Sequence, residues 1–211
     1  MSEGSTPAGR SAEPWDAVYE SRGITGVSWF QPSAVTSIGF IKRLAIPNTA
    51  AVIDVGGGAS VLADALVERG FRDVSVLDVS DAALEQVRQR LPTSASVSLL
   101  PRDLLSWKPD RPYDLWHVRA MFHFLVESSE RDTYLRTLRL ALRPGGVAII
   151  ATFAPDGPES CSAMPVARYS SQDLAETFGA DFVVIEHRRE QHITPAGVMQ
   201  PFTWVAARLS P

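Results

Sequence analysis

The segment Asp54-Val55-Gly56-Gly57-Gly58-Ala59-Ser60 is where residue type and spacing first suggest chemistry. Three adjacent glycines permit a backbone turn that side chains would obstruct, so a ligand can lie against main-chain N–H groups at the start of a helix. Asp78 follows 22 residues after Gly56, at the end of a second apolar run. A carboxylate there can accept hydrogen bonds from both hydroxyls of a ribose. Either feature alone is equally an ordinary turn or a solvated strand end; the combination points to a nucleoside-bearing ligand. A third group is His117-Val118-Arg119-Ala120-Met121-Phe122-His123-Phe124. His123 has the type of a general base and Arg119 that of an anion clamp, although His123 among aromatics is also what a hydrogen-bonded core histidine looks like.

These residues need a frame that brings them together. Ala51 to Val55, Val74 to Leu77, Val97 to Leu100, Tyr113 to Val118 and Val147 to Thr152 read as strands. Helices are expected from Pro32 to Pro47, from Ser60 to Arg69, after Ser80 as a cap until Pro92, and from Glu130 to Leu142 before Pro144-Gly145-Gly146. Strands alternating with helices imply right-handed crossovers and a parallel sheet covered on both faces. The C-terminal part differs: Ser170 and Asp173 form a capping box for a helix reaching Phe178. The runs Phe182 to Glu186 and Phe202 to Ala207 then make a hairpin unit, which adds an antiparallel strand. Trp15 to Gln31 reads as a short helix followed by an irregular segment. Pro155 to Tyr169 is a long connection of the kind that is functional or disordered.

The chain of 211 residues has 45% apolar and 21% charged residues, so one globular domain is expected. Residues 1–13 are too poor in apolar groups to pack and read as a disordered tail. The net charge of −4, with 20 Lys and Arg spread along the chain, argues against a nucleic-acid partner. No apolar run reaches membrane-spanning length, so no membrane partner is expected. Cys161 is the single cysteine, which excludes an internal disulfide, fits a cytoplasmic setting and offers no cysteine set for metal; no metal site is expected.

With these residues in view, the sequence from Trp15 to Leu209 resembles the class I S-adenosylmethionine-dependent methyltransferases. The family's acidic-x-Gly-x-Gly-x-Gly motif matches Asp54, Gly56 and Gly58, with Gly57 between them and Ser60 in place of the last glycine. The resemblance implies an α/β Rossmann-like fold: a seven-stranded mixed sheet in the order 3-2-1-4-5-7-6, strand seven antiparallel, with helices on both faces. It implies S-adenosyl-L-methionine as cofactor, S-adenosyl-L-homocysteine as product, and a division into an N-terminal helical lid at 14–46 and a methyltransferase domain at 47–211. Asp78, with Val79 beside it, becomes the ribose site; Asp103 and Leu104 look like the pair that reads adenine; the Val118 backbone approaches the methionine portion, where related sequences often have an acidic residue. Trp29, with Trp15, Tyr19 and Phe30, resembles the aromatic lid of small methyltransferases, although the same cluster also reads as a core plug.

An activated methyl group asks mainly for alignment, water exclusion and charge management. The expected catalytic residues are His123 as base and Arg119 as clamp, with Arg119, Arg168 and Tyr169 on the acceptor side. The expected acceptor is a small molecule, a protein lysine being the alternative, and the expected assembly a monomer or homodimer. A nicotinamide-dependent oxidoreductase shares the glycine turn and the acidic residue, but Lys42 and Lys108 are the only lysines, and neither follows a tyrosine at short helical spacing. A non-catalytic cofactor-binding protein is the remaining reading.

Overall fold

The structure is a computed structural model that describes residues 11–211. Most of the expected tail, residues 1–10, lies outside the described residues, and the chain is already helical from Glu13. The strands are β1 (Val52–Val55), β2 (Val74–Asp78), β3 (Val97–Pro101), β4 (Tyr113–Arg119), β5 (Leu142–Phe153), β6 (Phe182–Ile193) and β7 (Met199–Leu209). Among the described residues they form one sheet in the order β3-β2-β1-β4-β5-β7-β6, parallel from β3 to β5, with β7 antiparallel to both β5 and β6. The expected Rossmann-like order is therefore met. The central strands are apolar because both faces are covered: every residue of β1 is buried.

One face carries a core around Trp116, Tyr134 and Phe122, beneath α5 (Ser128–Ala141) and α6 (Ser171–Phe178). The other packs Phe40, Trp204 and Phe202 beneath α2 (Val35–Arg43), α3 (Leu62–Val67) and α4 (Asp81–Arg90). Ser80 caps α4 as its side chain accepts from the Ala83 N–H. The capping box of α6 is present in both directions: Ser170 Oγ accepts from the Asp173 N–H at 3.1 Å, and Asp173 Oδ2 accepts from the Ser170 N–H at 2.7 Å. Ser170→Ala is expected to lower stability by about 1 kcal/mol in a denaturant titration.

Four expectations need correction. The N-terminal segment is helical for longer, as α1 (Glu13–Gly26), because its break is deferred to Gly23, where φ is +64°. The second helix is shorter than Pro32 to Pro47: it starts after Ala34 and ends before Ala45, whose φ of +52° cannot continue it. The C-terminal hairpin is about twice as long as expected. β6 is an edge strand with one face in solvent, so His187 to Gln191 are also strand residues despite their polarity. The connection after β5 is not structureless: Ser160–Cys161 pairs with Met164–Pro165 across a tight turn in which Ser162 and Ala163 take φ of +50° and +63°.

Candidate functional site

The carboxyl ends of β1, β2, β3 and β4 open into a cleft of about 740 Å³ including its mouth. At its centre is the glycine turn. Gly56 and Gly58 take φ of +64° and +50°, which side chains resist, and the space beside them is filled. A Cβ on Gly56 would lie 2.5 Å from Met121 Cγ, one on Gly57 2.7 Å from Val76 Cγ1, and one on Gly58 against the Tyr19 hydroxyl. The turn is tied to β2: the Gly56 N–H donates to the Leu77 carbonyl at 2.7 Å, and the Gly58 N–H to Asp78 Oδ2 at 2.8 Å. Asp78 Oδ1 accepts from the Ser80 N–H at 2.9 Å. Burial pushes the Asp78 carboxyl up to about 6, against the opposing pull of these N–H donors. Ser60 does not widen the glycine motif; its Oγ accepts from the Leu62 N–H at the start of α3.

Val79, Asp103 and Leu104 continue the wall on the β3 side. Asp103 Oδ1 accepts from the Leu105 N–H at 3.2 Å, whereas Oδ2 is buried and has no partner among the described residues. Trp15, Tyr19 and Trp29 line the cleft from the N-terminal side, with Trp29 edge-on to both of the others at about 6 Å. Ser80 Oγ donates to Asp16 Oδ1 at 2.5 Å, so the helix carrying the aromatic lid is fastened next to Asp78. Burial, then the charge of Asp78, pushes the Tyr19 phenol up to about 12, so it remains a neutral hydroxyl.

Behind Gly56 a second chamber is lined by Gln31, Ser37, Asp54, His117 and Arg119. Asp54 and His117 are register partners in the β1/β4 ladder. His117 Nδ1 lies 2.7 Å from Asp54 Oδ1 and Nε2 lies 3.0 Å from Ser37 Oγ, with all three side chains only 2% exposed. The sequence reading missed His117 and Ser37. The available signal was strand alternation, which puts His117 on the same face as Arg119, but the partner 63 residues away had no local mark.

Arg119 sits at the seam of the two chambers. Its Nη1 donates to the Trp29 carbonyl at 2.9 Å, and its guanidinium stacks 4.8 Å from the Phe202 ring centroid. Burial lowers it to about 10, against the charges of Glu190 and Asp54, so it stays a cation near neutrality. Ala120 beside it holds a left-handed φ of +60° where the chain leaves β4.

Three expected site residues stand elsewhere. His123 is 0% exposed and lines neither chamber; its ring stacks 4.1 Å from Phe153. Burial and then Arg119 push it down to about 3, too weak for a general base near neutral pH. The Val118 side chain is in the core on the other face, while its backbone, the part expected near the methionine portion, adjoins Arg119 and Ala120, which line the cleft. Arg168 braces its own loop through the Gly157 carbonyl and Glu159. Tyr169 packs on Phe122 in the opposite core, away from the cleft. Cys161 is buried, with its thiol pushed up by burial and set against Ser28. Among the described residues no group of three or more His, Cys, Asp or Glu could hold a metal ion, and no helix is long and apolar enough to cross a membrane.

Residues 52–146 match the family model described as a methyltransferase domain. The chain is similar to a trans-aconitate 2-methyltransferase of Rhizobium rhizogenes, 36% identical over 99 residues, covering 46% of this chain and 36% of the relative. It is also similar to the mouse EEF1A lysine methyltransferase 2, 35% identical over 81 residues, covering 35% of this chain and 33% of that one. The chain thus spans well under half the length of these curated relatives. Among solved structures, an S-adenosylmethionine-dependent methyltransferase from Anabaena variabilis aligns with a TM-score of 0.73 at 16% identity, covering 99% of both chains. The Burkholderia thailandensis 1,6-didemethyltoxoflavin-N1-methyltransferase, solved with its substrate and S-adenosylhomocysteine, aligns with a TM-score of 0.70 at 20% identity, covering 95% of this chain and 84% of that one.

Proposed function

We propose that the chain is a class I, S-adenosylmethionine-dependent methyltransferase that transfers a methyl group to a small-molecule acceptor, a reading supported by the match of residues 52–146 to a methyltransferase-domain model. The observation that carries the reading is the pair of carboxylates flanking one glycine turn: Asp78, anchored by two main-chain N–H groups, and Asp103, with one buried oxygen unpartnered among the described residues. These fit an adenosyl ligand. Asp78 accepts from the ribose hydroxyls, Asp103 Oδ2 accepts from the adenine amino group, and Val79 and Leu104 flank the ring. Gly56 and Gly58, with left-handed φ, let the turn bend back onto β2 so that Asp78 stands at the cleft wall.

When bound, S-adenosylmethionine supplies an activated methyl group on a sulfonium. The chain's part is to position the acceptor and exclude water. Trp29 and Tyr19 close the cleft, and their ring faces favour a cationic centre. Arg119 holds an anionic group at the seam between the chambers. His123 takes no proton from the acceptor, so an acceptor that needs no base suits this site best.

A protein lysine is the second reading, favoured by the similarity to an EEF1A lysine methyltransferase. The aromatic lid, fastened through Asp16 and Ser80, speaks for the small molecule because it covers the approach a polypeptide would need. A cytoplasmic enzyme, monomeric or homodimeric, is part of the same proposal. Calorimetric titration is expected to show S-adenosylhomocysteine binding and no heat from NAD(H), and a labelled-methyl screen is expected to mark metabolites rather than lysate proteins. Binding of the dinucleotide alone would overturn the reading.

A further inference from the structure

Arg119, His123 and Gln200 carry buried polar atoms with no hydrogen-bond partner among the described residues: Nε and Nη2 of Arg119, both ring nitrogens of His123, and Oε1 of Gln200. Buried polar groups are nearly always paired, and leaving one unpaired costs free energy, so three together require an explanation. They are also neighbours. Arg119 stacks on Phe202, and the His123 ring lies 6.4 Å from Phe202. Gln200 is two residues before Phe202 on β7 and so faces the same side, opposite His192, whose ring is 6.0 Å from Phe202.

The atoms left over on Arg119 matter most. Nη1 is held by the Trp29 carbonyl, whereas Nε and Nη2 make up one edge of the guanidinium, the parallel pair of N–H donors that matches the two oxygens of a carboxylate. Among the described residues no carboxylate takes this edge: the nearby Glu190 is bound by Gln31, Thr36 and the Trp204 indole N–H. A neutral His123 has one N–H to donate, and Gln200 Oε1 can only accept. The donor set thus asks for an anion with two oxygens that also carries a hydroxyl or amino hydrogen. Ser28 and Trp29 cover the group from above, where the Ser28 carbonyl meets His192 Nε2 at 2.7 Å and the Trp29 carbonyl meets Arg119, so these two contacts are what must part for entry.

We propose that this cluster is the acceptor subsite and that the acceptor is a small carboxylic acid bearing a further hydrogen-bond donor, held side-on by Arg119 with His123 and Gln200 reading its remaining polar groups. This rests on the methyl-transfer reading for the word acceptor, but the carboxylate site itself can be tested without it. Acetate is the fragment shared by the whole class and acetamide its neutral counterpart. In cofactor-free protein, acetate is expected to shift the Arg119 Nε–H and His123 ring resonances in NMR titrations, with acetamide at least about tenfold weaker. Arg119→Gln and Arg119→Lys are each expected to weaken acetate by about tenfold or more, the lysine variant keeping the charge and losing the paired donors. Their affinity for S-adenosylhomocysteine is measured in parallel and is expected to fall by clearly less than that for acetate, and the retained binding verifies folding. Equal response to acetate and acetamide, or full acetate affinity in Arg119→Lys, overturns the carboxylate site. Loss of S-adenosylhomocysteine binding in step with acetate binding overturns the assignment to the acceptor, because the edge then serves the cofactor's carboxylate. Failure of the wild-type protein to bind S-adenosylhomocysteine counts against the methyltransferase reading and leaves the acetate result to stand on its own.

Discussion

Asp78→Asn is expected to weaken S-adenosylhomocysteine binding by about a hundredfold, because two charge-assisted hydrogen bonds to the ribose, each about 1.5–3 kcal/mol, become neutral ones with one acceptor replaced by a donor. The same carboxylate gives a pH signature. With its pKa at about 6, Asp78 is ionised at pH 7 and protonated progressively below 6. Affinity in the wild-type protein should therefore fall by about tenfold for each pH unit below that point, and the variant should lose this dependence. Stability moves the other way. The folded carboxyl ionises later than the unfolded one, so the native state binds more protons between about pH 4 and 6, and its stability falls as pH rises through that window. Above pH 6 the buried charge costs up to about 3 kcal/mol, and Asp78→Asn removes that cost. The same substitution sets an amide NH2 against the Gly58 or Ser80 N–H, which offsets that gain, so the expected result is a variant that melts close to wild type at pH 7 yet binds far worse. Isothermal titration across pH 5–8 with parallel thermal melts checks both; a flat pH profile in the wild-type protein would separate Asp78 from the ribose.

That Asp78 was legible in the sequence follows from locality. The glycine turn and β2 are joined through main-chain bonds from Gly56 and Gly58, so strand, turn and carboxylate read as one local unit. Asp103 is similar: its place beyond β3 puts it on the cleft wall without any long-range side-chain partner. The sheet order came from the resemblance, since composition and spacing yielded only alternating strands and a terminal hairpin. What failed depended on side-chain facing and on distant partners. His123 and Arg119 are four residues apart and read as base and clamp; the short 3₁₀ turn at Phe122–Phe124 after β4 instead sets His123 into the aromatic layer against Phe153, where burial and the Arg119 charge leave it too weak for a base. The sequence puts Arg168 and Tyr169 on the acceptor side because the loop before them reads as a long connection without structure of its own. The small hairpin instead folds that loop on itself, and Tyr169 is drawn into the opposite core.

Glu190 shows the same limit from the other side. It lies in the most polar stretch of β6, where sequence offers only a solvated edge strand, but it accepts from Gln31, from Thr36 at 2.7 Å and from the Trp204 indole at 2.8 Å. These contacts join the lid, α2 and the antiparallel strand at one carboxylate, across more than 150 residues of chain. The lid is therefore held at both ends, by Asp16 to Ser80 near Asp78 and by Gln31 to Glu190 near Arg119. The segment between Trp15 and Gln31 is thereby tethered as one piece over both the cleft and Arg119.

The Ser37–His117–Asp54 chain is the strongest expected determinant of stability that the sequence concealed. Its geometry is that of a proton relay, with Ser37 in the first turn of α2. Its consequence is mechanical: it ties α2 across β4 to β1, directly beneath the glycine turn. His117→Leu is expected to leave the Asp54 carboxylate 2% exposed without its partner, at a cost of about 3–5 kcal/mol. For a chain of this size that corresponds to a fall in melting temperature of about 10 °C. Ser37→Ala, which removes a single hydrogen bond to the ring, should cost only about 1 kcal/mol. The double variant His117→Leu/Asp54→Leu should recover part of the loss, because an apolar pair of similar volume carries no stranded charge. Strict additivity in that cycle would mean that Asp54 and His117 act separately, and the glycine turn would then owe its position to the main-chain bonds with β2 alone.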